Sequence, residues 1–164
     1  MLIKTPICDF GQAAKSFELK STNNKIVKLN DAKGENGTLI MFICNHCPYV
    51  KAIIKDIVDD CRNLKELGIN SVAICSNDSI NYPEDSYEKM IEFSKKHNFD
   101  FPYLIDKTQE IAKAYNAVCT PDFFGFNKNL ELQYRGQIRE LKNLKPVTEG
   151  ESDLFKAMKQ IAET

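Results

Sequence analysis

The sequence lacks an excess of charge of either sign, a long hydrophobic run and a hydrophobic leader. Its 164 residues include 22 lysines and arginines against 23 aspartates and glutamates, and the basic residues are scattered among the acidic ones. A nucleic-acid partner is therefore not expected, because such surfaces gather basic residues into a patch or stripe. No apolar stretch approaches the roughly 18 residues of a membrane span, and residues 1–12 show no basic segment followed by an apolar one. We expect a soluble, cytoplasmic protein with no membrane partner.

The chain also lacks an internal repeat, a low-complexity tract and a recognisable linker. Its length suits about one domain, and 43% apolar residues are enough for one substantial core. We therefore expect a single domain over residues 1–164, whose oligomeric state the sequence does not indicate. Without an export signal, most of the six cysteines should be free thiols: Cys8, Cys44, Cys47, Cys61, Cys75 and Cys119.

Strand-like and helix-like patterns alternate along the chain, which predicts an α/β protein with a mixed central sheet flanked by helices. The predicted strands cover residues 16–20 and 25–30 as an N-terminal hairpin, then 39–44, 69–75, the short run 101–106, and a second hairpin of 122–127 and 130–138. The predicted helices cover residues 48–67, 83–97, 108–115 and 152–163. A strand, a helix and a strand in the order 39–75 imply a right-handed crossover between parallel neighbours.

The stretch "FICNHCPYV" (residues 42–50) contains a C-x-x-C pair, Cys44 and Cys47. This spacing serves both redox disulfides and metal sites. Cys47 directly precedes Pro48, which favours the first position of a helix. At a helix start the unpaired amides and the helix dipole stabilise a thiolate, and a cysteine pKa can fall from about 8.5 to about 3.5–7.5. We therefore predict Cys47 as the reactive cysteine.

Four stretches together resemble the peroxiredoxin-like, thioredoxin-fold proteins of the alkyl hydroperoxide reductase and thiol-specific antioxidant group. They are "FICNHCPYV", "SNDSINYPEDSYEKM", "FPYLIDKTQEIAKAYNAVCTPDFFGF" and "YRGQI", and the similarity covers about residues 6–137. The resemblance implies a thioredoxin-like fold with an N-terminal β-hairpin extension and no organic cofactor. It places Cys47 at the nucleophilic, peroxidatic position and Val50 where thioredoxins keep the resolving cysteine. Thr120 and Pro121 then match the cis-proline loop that faces the nucleophile, although base rates alone favour a trans bond.

The chain departs from peroxiredoxins at the residues that would hold a peroxide. Cys44 stands where the family keeps a threonine or serine, and roughly Thr120 and Pro121 stand where an arginine is expected. We therefore predict thiol-disulfide exchange on protein or small-molecule thiols and disulfides, with only weak reduction of hydroperoxides. Pro48, Thr120, Pro121 and His46 are the expected substrate contacts.

Two cysteines are candidates to resolve an intermediate on Cys47. Cys119 is preferred because the Thr120 loop should cross beside the helix start, whereas Cys44 would have to close a bond across the strand exit. If Cys119 is instead a packed core residue, an external thiol reduces Cys47.

A metal-binding assembly protein is the alternative function. Cys44, His46, Cys47 and Cys119 offer soft ligands suited to copper or zinc. His46 otherwise shapes only the surface around the Cys47 thiol. Cys61 and Cys75 are expected in the core, and Cys8 has no interpretable partner. Arg135 belongs to the family-like stretch "YRGQI", which would bring it near the site, but an exposed strand position is preferred.

Overall fold

The computed structural model describes residues 10–117 and 119–164, so the prediction for Cys8 lies outside the described residues. Within these ranges, no helix has both the length and the apolar character needed to cross a membrane.

Strands and helices alternate along most of the chain. The strands are β1 (Glu18–Ser21), β2 (Ile26–Lys28), β3 (Gly37–Phe42), β4 (Ile69–Cys75), β5 (Tyr103–Ile105), β6 (Asp122–Asn127), β7 (Leu132–Gly136), β8 (Leu141–Lys142) and β9 (Lys145–Pro146). The helices are α1 (Leu29–Ala32), α2 (Pro48–Glu66), α3 (Tyr87–Lys96), α4 (Glu110–Ala114) and α5 (Asp153–Ala162), with a 3₁₀ turn at Pro83–Asp85.

Seven strands form one mixed sheet in the order β2-β1-β5-β4-β3-β6-β7. β3 runs parallel to β4, and β4 runs parallel to β5. β6 pairs antiparallel with β3, β7 with β6, and the N-terminal hairpin joins the opposite edge through β1 and β5. The predicted mixed sheet with an N-terminal hairpin is therefore confirmed, and β8 and β9 form a small separate pair that was not predicted.

β3 is the centre of the core because it is covered on both faces. Leu39 and Met41 belong to an apolar cluster that includes side chains of α2, α3 and α5. Ile40 and Phe42 point the other way, into a cluster with side chains of α1 and α4. Successive side chains of a strand alternate between faces, so a strand buried on both sides reads as one continuous apolar run. The carboxyl end of this strand leads directly into the C-x-x-C segment.

The predicted helix over residues 83–97 is wrong in its first turn. Ser86 has an extended backbone (φ −63°, ψ 160°), and its hydroxyl accepts the amide hydrogen of Lys89, so it caps α3. An N-cap residue has non-helical backbone angles, so a helix begins after it and does not continue from the residues before it. The residues before Ser86 form the separate 3₁₀ turn, which points Asp85 into the interior with 1% of its surface exposed.

The predicted strand over residues 25–30 ends two residues early. Lys28 donates its amide hydrogen to the Asp31 carboxylate at 2.9 Å, and the short helix α1 starts at Leu29. At the other end of α2, Gly68 has φ +79°, the left-handed conformation that ends a helix, which agrees with the predicted helix over residues 48–67.

Candidate active site around Cys47

Cys47 is the N-cap residue of α2, as predicted. Its backbone is extended (φ −66°, ψ 122°), and Pro48 occupies the first turn. The Cys47 carbonyl accepts the amide hydrogen of Lys51 at 3.0 Å and so begins the helical hydrogen-bond series. The Cys47 side chain is half-buried, while Pro48 and Tyr49 are exposed. The sulfur therefore lies at a helix start with one side open to solvent.

Cys44, the first cysteine of the motif, acts on the pKa of Cys47, the second. Cys44 is buried, with 1% of its surface exposed, and its thiol donates to the Cys47 sulfur. This hydrogen bond is the largest cause that lowers the pKa of Cys47 to about 5, and the amides of Val50 and Tyr49 lower it further, against the effect of burial. The same contact, together with burial, raises the pKa of Cys44 far above its ordinary value. One sulfur of the pair is thus a thiolate at neutral pH and the other remains a thiol.

The loop before β6 lies against both sulfurs. The peptide bond between Thr120 and Pro121 is cis, as the resemblance implied. In its protonated form, the Cys47 thiol donates to the Thr120 carbonyl oxygen at 3.5 Å. The Thr120 hydroxyl is 3.5 Å from the Cys44 sulfur. The backbone and the side chain of Thr120 therefore contact the two cysteines separately.

Cys119 is close to this loop but faces another way. Its thiol donates to the Pro121 carbonyl at 3.9 Å, and its side chain lines a pocket of ≈ 390 Å³ that also includes Phe42, Ser76 and Lys113. Burial, and then the charge of Asp122, raise the pKa of Cys119, and the charge of Cys47 raises it further. The charge of Cys47 thus raises the pKa of Cys119, but the cysteine whose hydrogen bonding most affects the pKa of Cys47 is Cys44.

A buried carboxylate that the sequence reasoning missed anchors the segment between the two cysteines. Asp85 accepts the amide hydrogen of Asn45 at 2.7 Å through Oδ1. Its Oδ2 accepts the Asn77 side-chain amide at 2.9 Å and also contacts Nδ1 of His46. In the sequence this aspartate stands in a turn-rich loop among exposed acidic residues such as Glu84, so no periodicity marked it as buried.

Two further contacts hold the same segment. The Asn45 side chain donates to the Glu84 carbonyl at 2.9 Å and accepts the hydroxyl hydrogen of Tyr103 at 2.8 Å. The His46 ring stacks on Tyr82, with centroids 4.9 Å apart and planes 7° from parallel. His46 therefore has a fixed orientation at the rim of the site, with 31% of its side chain exposed.

The potential metal ligands are arranged differently from the predicted set. Among the described residues, ligand atoms of Cys44, His46 and Asp85 lie within 4.8 Å of one another, whereas Cys119 is not in this group. Both oxygens of Asp85 already accept protein N–H groups, and one of them contacts the His46 nitrogen. The arrangement is thus complete as a hydrogen-bonded network, which favours this interpretation over a metal centre.

The remaining predictions concern residues outside the site. Cys61 and Cys75 are buried core residues, and burial raises their pKa values to about 12 and about 11. The expectation of an exposed Arg135 is wrong: its side chain is 5% exposed and bonds the Asp122 carboxylate at 2.9 Å. Its guanidinium also donates to the Asn116 carbonyl and lies 4.5 Å from the centre of the Phe124 ring. A buried carboxylate after Pro121 therefore draws this arginine inward.

Comparison with known proteins agrees with this geometry. The chain is 28% identical to "Peroxiredoxin Bcp" of Bacillus subtilis (strain 168) over 128 residues, which are 78% of this chain and 73% of that protein. It is 26% identical to "Thiol-disulfide oxidoreductase ResA" of the same organism over 117 residues, 71% of this chain and 61% of that longer protein. A crystal structure of an uncharacterized conserved protein from Geobacillus kaustophilus is 42% identical, with a TM-score of 0.85, over 89% of this chain and 79% of that one.

The sheet order, the long helix after β3 and the cis-proline loop beside its start make the fold thioredoxin-like, as predicted. The sequence profile of the AhpC/TSA family matches residues 10–140, which include every residue of the site described above. The chain therefore belongs to the AhpC/TSA family.

Proposed function

We propose that this chain is a thiol-disulfide oxidoreductase whose nucleophile is Cys47. The observation that carries the proposal is the position of Cys47 as the N-cap of α2 beside the cis-proline loop, with the Cys47 sulfur 3.5 Å from the Thr120 carbonyl oxygen. A pKa lowered to about 5 keeps Cys47 as a thiolate at neutral pH, and the thiolate is the form that attacks a disulfide. Membership of the AhpC/TSA family supports the same chemistry.

The reaction proceeds in two exchanges. The Cys47 thiolate attacks one sulfur of a substrate disulfide, forms a mixed disulfide with it and releases the other substrate sulfur as a thiolate. A second cysteine then attacks the Cys47 sulfur, releases the bound substrate thiol and leaves an intramolecular disulfide. The substrate gains two electrons and the enzyme loses two, and a thiol reductant restores the enzyme in a later exchange.

Cys44 is the better supported resolving cysteine. Cys44 and Cys47 have the largest effects on each other's pKa and both contact Thr120, whereas the Cys119 thiol donates to the Pro121 carbonyl. The sequence alone favoured Cys119, and the proposal places Cys44 first instead. A disulfide between Cys44 and Cys47 closes within the loop that connects β3 to α2, so it needs no movement of a distant element.

Substrate binding is proposed for the residues around the open side of Cys47. Pro48 is exposed, and Thr120, Pro121 and His46 are partly exposed. Once Cys47 loses its proton, the Thr120 carbonyl has no donor from that thiol, and a substrate backbone amide can take its place. The contacts do not depend on one substrate side chain, which suits peptide or small-molecule disulfides.

Hydroperoxide reduction is proposed only as a weak activity. Peroxide binding requires donors that stabilise the leaving oxygen. Arg135, the arginine nearest in sequence to the Thr120 loop, is bound to Asp122 and Asn116 instead. The thiol of Cys44, a weak donor, replaces the hydroxyl that peroxiredoxins keep at this position.

A reducing compartment such as the cytoplasm is proposed as the location. The five described cysteines, which are Cys44, Cys47, Cys61, Cys75 and Cys119, are free thiols. A reducing compartment would keep them in this form between catalytic cycles.

The proposal is tested with three serine variants in a disulfide-reduction assay. Cys47→Ser should lose activity because no thiolate remains at the helix start. Cys44→Ser should accumulate a mixed disulfide on Cys47, detected by mass spectrometry, whereas Cys119→Ser should turn over normally. Full activity of Cys47→Ser would overturn the proposal, and a trapped intermediate in Cys119→Ser alone would transfer the resolving role to Cys119.

A further inference from the structure

We infer that His46 carries the proton of the resolving step from Cys44 to the departing substrate sulfur, and that Asp85 positions His46 for this transfer. The inference rests on the proposed cycle of Cys47 and Cys44.

The resolving step needs a proton acceptor beside Cys44. In the resting enzyme the Cys44 thiol donates its hydrogen to the Cys47 thiolate. In the mixed disulfide, the Cys47 sulfur has no negative charge and no longer attracts that proton. Cys44 is buried, with 1% of its surface exposed, so bulk water has little access to its thiol. An attack by Cys44 therefore requires a base that the protein supplies.

His46 and Asp85 are the groups available for this task. One ring nitrogen of His46, one carboxylate oxygen of Asp85 and the Cys44 sulfur all lie within 4.8 Å of one another. A distance of this order is closed by one bridging water or by the tightening that accompanies formation of a complex. Beyond Asp85, the titratable groups around the ring are the Cys44 and Cys47 thiols and the Tyr82 phenol, with the Tyr103 hydroxyl behind Asn45.

Asp85 determines the orientation of the His46 ring. Its Oδ2 contacts Nδ1 of His46. In the scheme a neutral ring donates to the carboxylate from Nδ1, and Nε2 is the nitrogen that accepts a proton. The carboxylate is fixed in turn by the Asn45 amide and the Asn77 side chain, and Tyr82 stacks on the ring face. The ring is 31% exposed, so it can exchange a proton with a group on the solvent side, whereas Cys44 is buried. Asp85 touches neither reacting sulfur in this scheme and is a positioning residue.

The step balances without a further reactant. Cys44 transfers its proton to His46, and its sulfur forms a bond with the Cys47 sulfur. The bond between Cys47 and the substrate sulfur breaks, and the departing substrate thiolate takes the proton from His46. The products are the Cys44 to Cys47 disulfide, a substrate thiol and a neutral imidazole ready for another cycle.

The test separates the two exchanges with 5,5′-dithiobis(2-nitrobenzoate), which releases one coloured thiolate in each. Reduced protein is mixed with the reagent in a stopped-flow instrument at a series of pH values. His46→Gln keeps a donor for Asp85 but cannot accept a proton. Because His46 is also a proposed substrate contact, the two phases are compared as a ratio: the second release should slow by about 10²-fold relative to the first, the lower end of general acid-base effects. Glu84→Gln, an exposed carboxylate beside Asp85, is the matched control and should leave both phases unchanged.

Asp85→Asn provides the readout that a purely structural role would not give. The imidazolium loses its counter-charge in this variant, so the second phase should reach half its maximal rate at a lower pH than in the wild type. Equal slowing of both phases in Asp85→Asn, with no displacement of the pH profile, would overturn the positioning role. An unchanged second phase in His46→Gln would overturn the proton transfer.

Other outcomes distinguish this inference from the proposed function. A second release that persists in Cys44→Ser would remove the role of His46 and leave Cys47 as the nucleophile. The absence of any release that depends on Cys47 would remove the proposed function itself, and this inference with it.

Discussion

Cys44 and Cys47 differ in pKa because their surroundings differ, although the motif presents them as equivalent. Cys47 has the amides of a helix start and a thiol donor on one side, whereas Cys44 is buried and near the charge of Asp85. The amides and the thiol donor favour a thiolate on Cys47, and burial and the charge of Asp85 favour a thiol on Cys44. The identity of the nucleophile is therefore a property of single atoms and their hydrogen bonds.

Removing the Cys44 thiol should raise the pKa of Cys47. We expect the rate of Cys47 alkylation in the wild type to reach half its maximum near pH 5. In Cys44→Ala the midpoint should move toward the ordinary cysteine value of about 8.5, because the donor with the largest effect is lost. Cys44→Ser retains a hydroxyl donor and should fall between the two.

The measurement is iodoacetamide labelling across pH, followed by mass spectrometry of the Cys47 peptide. Cys119→Ser is the control and should keep the wild-type midpoint. An unchanged midpoint in Cys44→Ala would mean that the helix start alone lowers the pKa.

At the scale of elements, α5 is attached to α2 through one polar contact inside the apolar packing. Ser152 caps α5 by accepting the amide hydrogen of Phe155 at 2.9 Å, and its hydroxyl donates to the Asp60 carboxylate of α2 at 2.5 Å. Ser152 and Asp60 are both buried. One hydroxyl thus satisfies a helix terminus and a buried carboxylate together.

Ser152→Ala should destabilise the protein by about 2 kcal/mol, because it removes an N-cap and leaves a buried carboxylate without its donor. Ser86→Ala is the matched comparison: it removes the cap of α3, an exposed contact at 3.3 Å, and should cost about 1 kcal/mol or less. Urea denaturation of both variants measures the difference. Equal losses would show that the contact with Asp60 adds nothing to the cap.

At the scale of the whole molecule, Asp60 makes stability depend on pH. Burial raises its pKa from 3.8 to about 6, with the charge of Asp56 adding to the effect and the Ser152 hydroxyl opposing it. The folded state therefore holds this proton more tightly than the unfolded state. The stability that Asp60 contributes is complete below pH 3.8 and is lost as pH rises through about 6.

Asp60→Asn should therefore be more stable than the wild type at pH 7, by up to about 3 kcal/mol. Below about pH 4 the gain should disappear, because the wild-type carboxyl is then protonated in both states. Thermal denaturation between pH 3.5 and 7.5 measures the curve. Asp59→Asn, on the exposed side of the same helix, should not reproduce it, and a constant difference across pH would contradict the assignment.

The single domain predicted from length stays a prediction. Both apolar clusters share β3 and β4, so neither has a sheet of its own to fold on. We expect one cooperative unfolding transition, with coincident curves from far-UV and near-UV circular dichroism. Two separated transitions would contradict a single domain.

The sequence predicted most of the fold because its signals were local and strong. The apolar run that became β3, the helical period of α2 with Pro48 and Gly68 at its ends, and the turn between β6 and β7 each act over a few residues. The helix over residues 83–97 was less accurate because the sequence offers two starts: Pro83 suits a first helical position and Ser86 suits an N-cap, and α3 begins after Ser86.

The sequence by itself determined the mixed sheet, the family and the position of Cys47 at a helix start, since hydrophobic period, proline placement and local motifs are properties of neighbouring residues. Only the tertiary structure decided which groups surround that sulfur. Asp85 lies 38 positions beyond Cys47 in the chain and Thr120 lies 73 positions beyond it, and the fold brings both to the C-x-x-C segment. The neighbouring Cys44, Tyr49 and Val50 lower the pKa of Cys47, but burial and the contacts of the distant Thr120 and Asp85 come from the tertiary structure, and no local pattern encodes them.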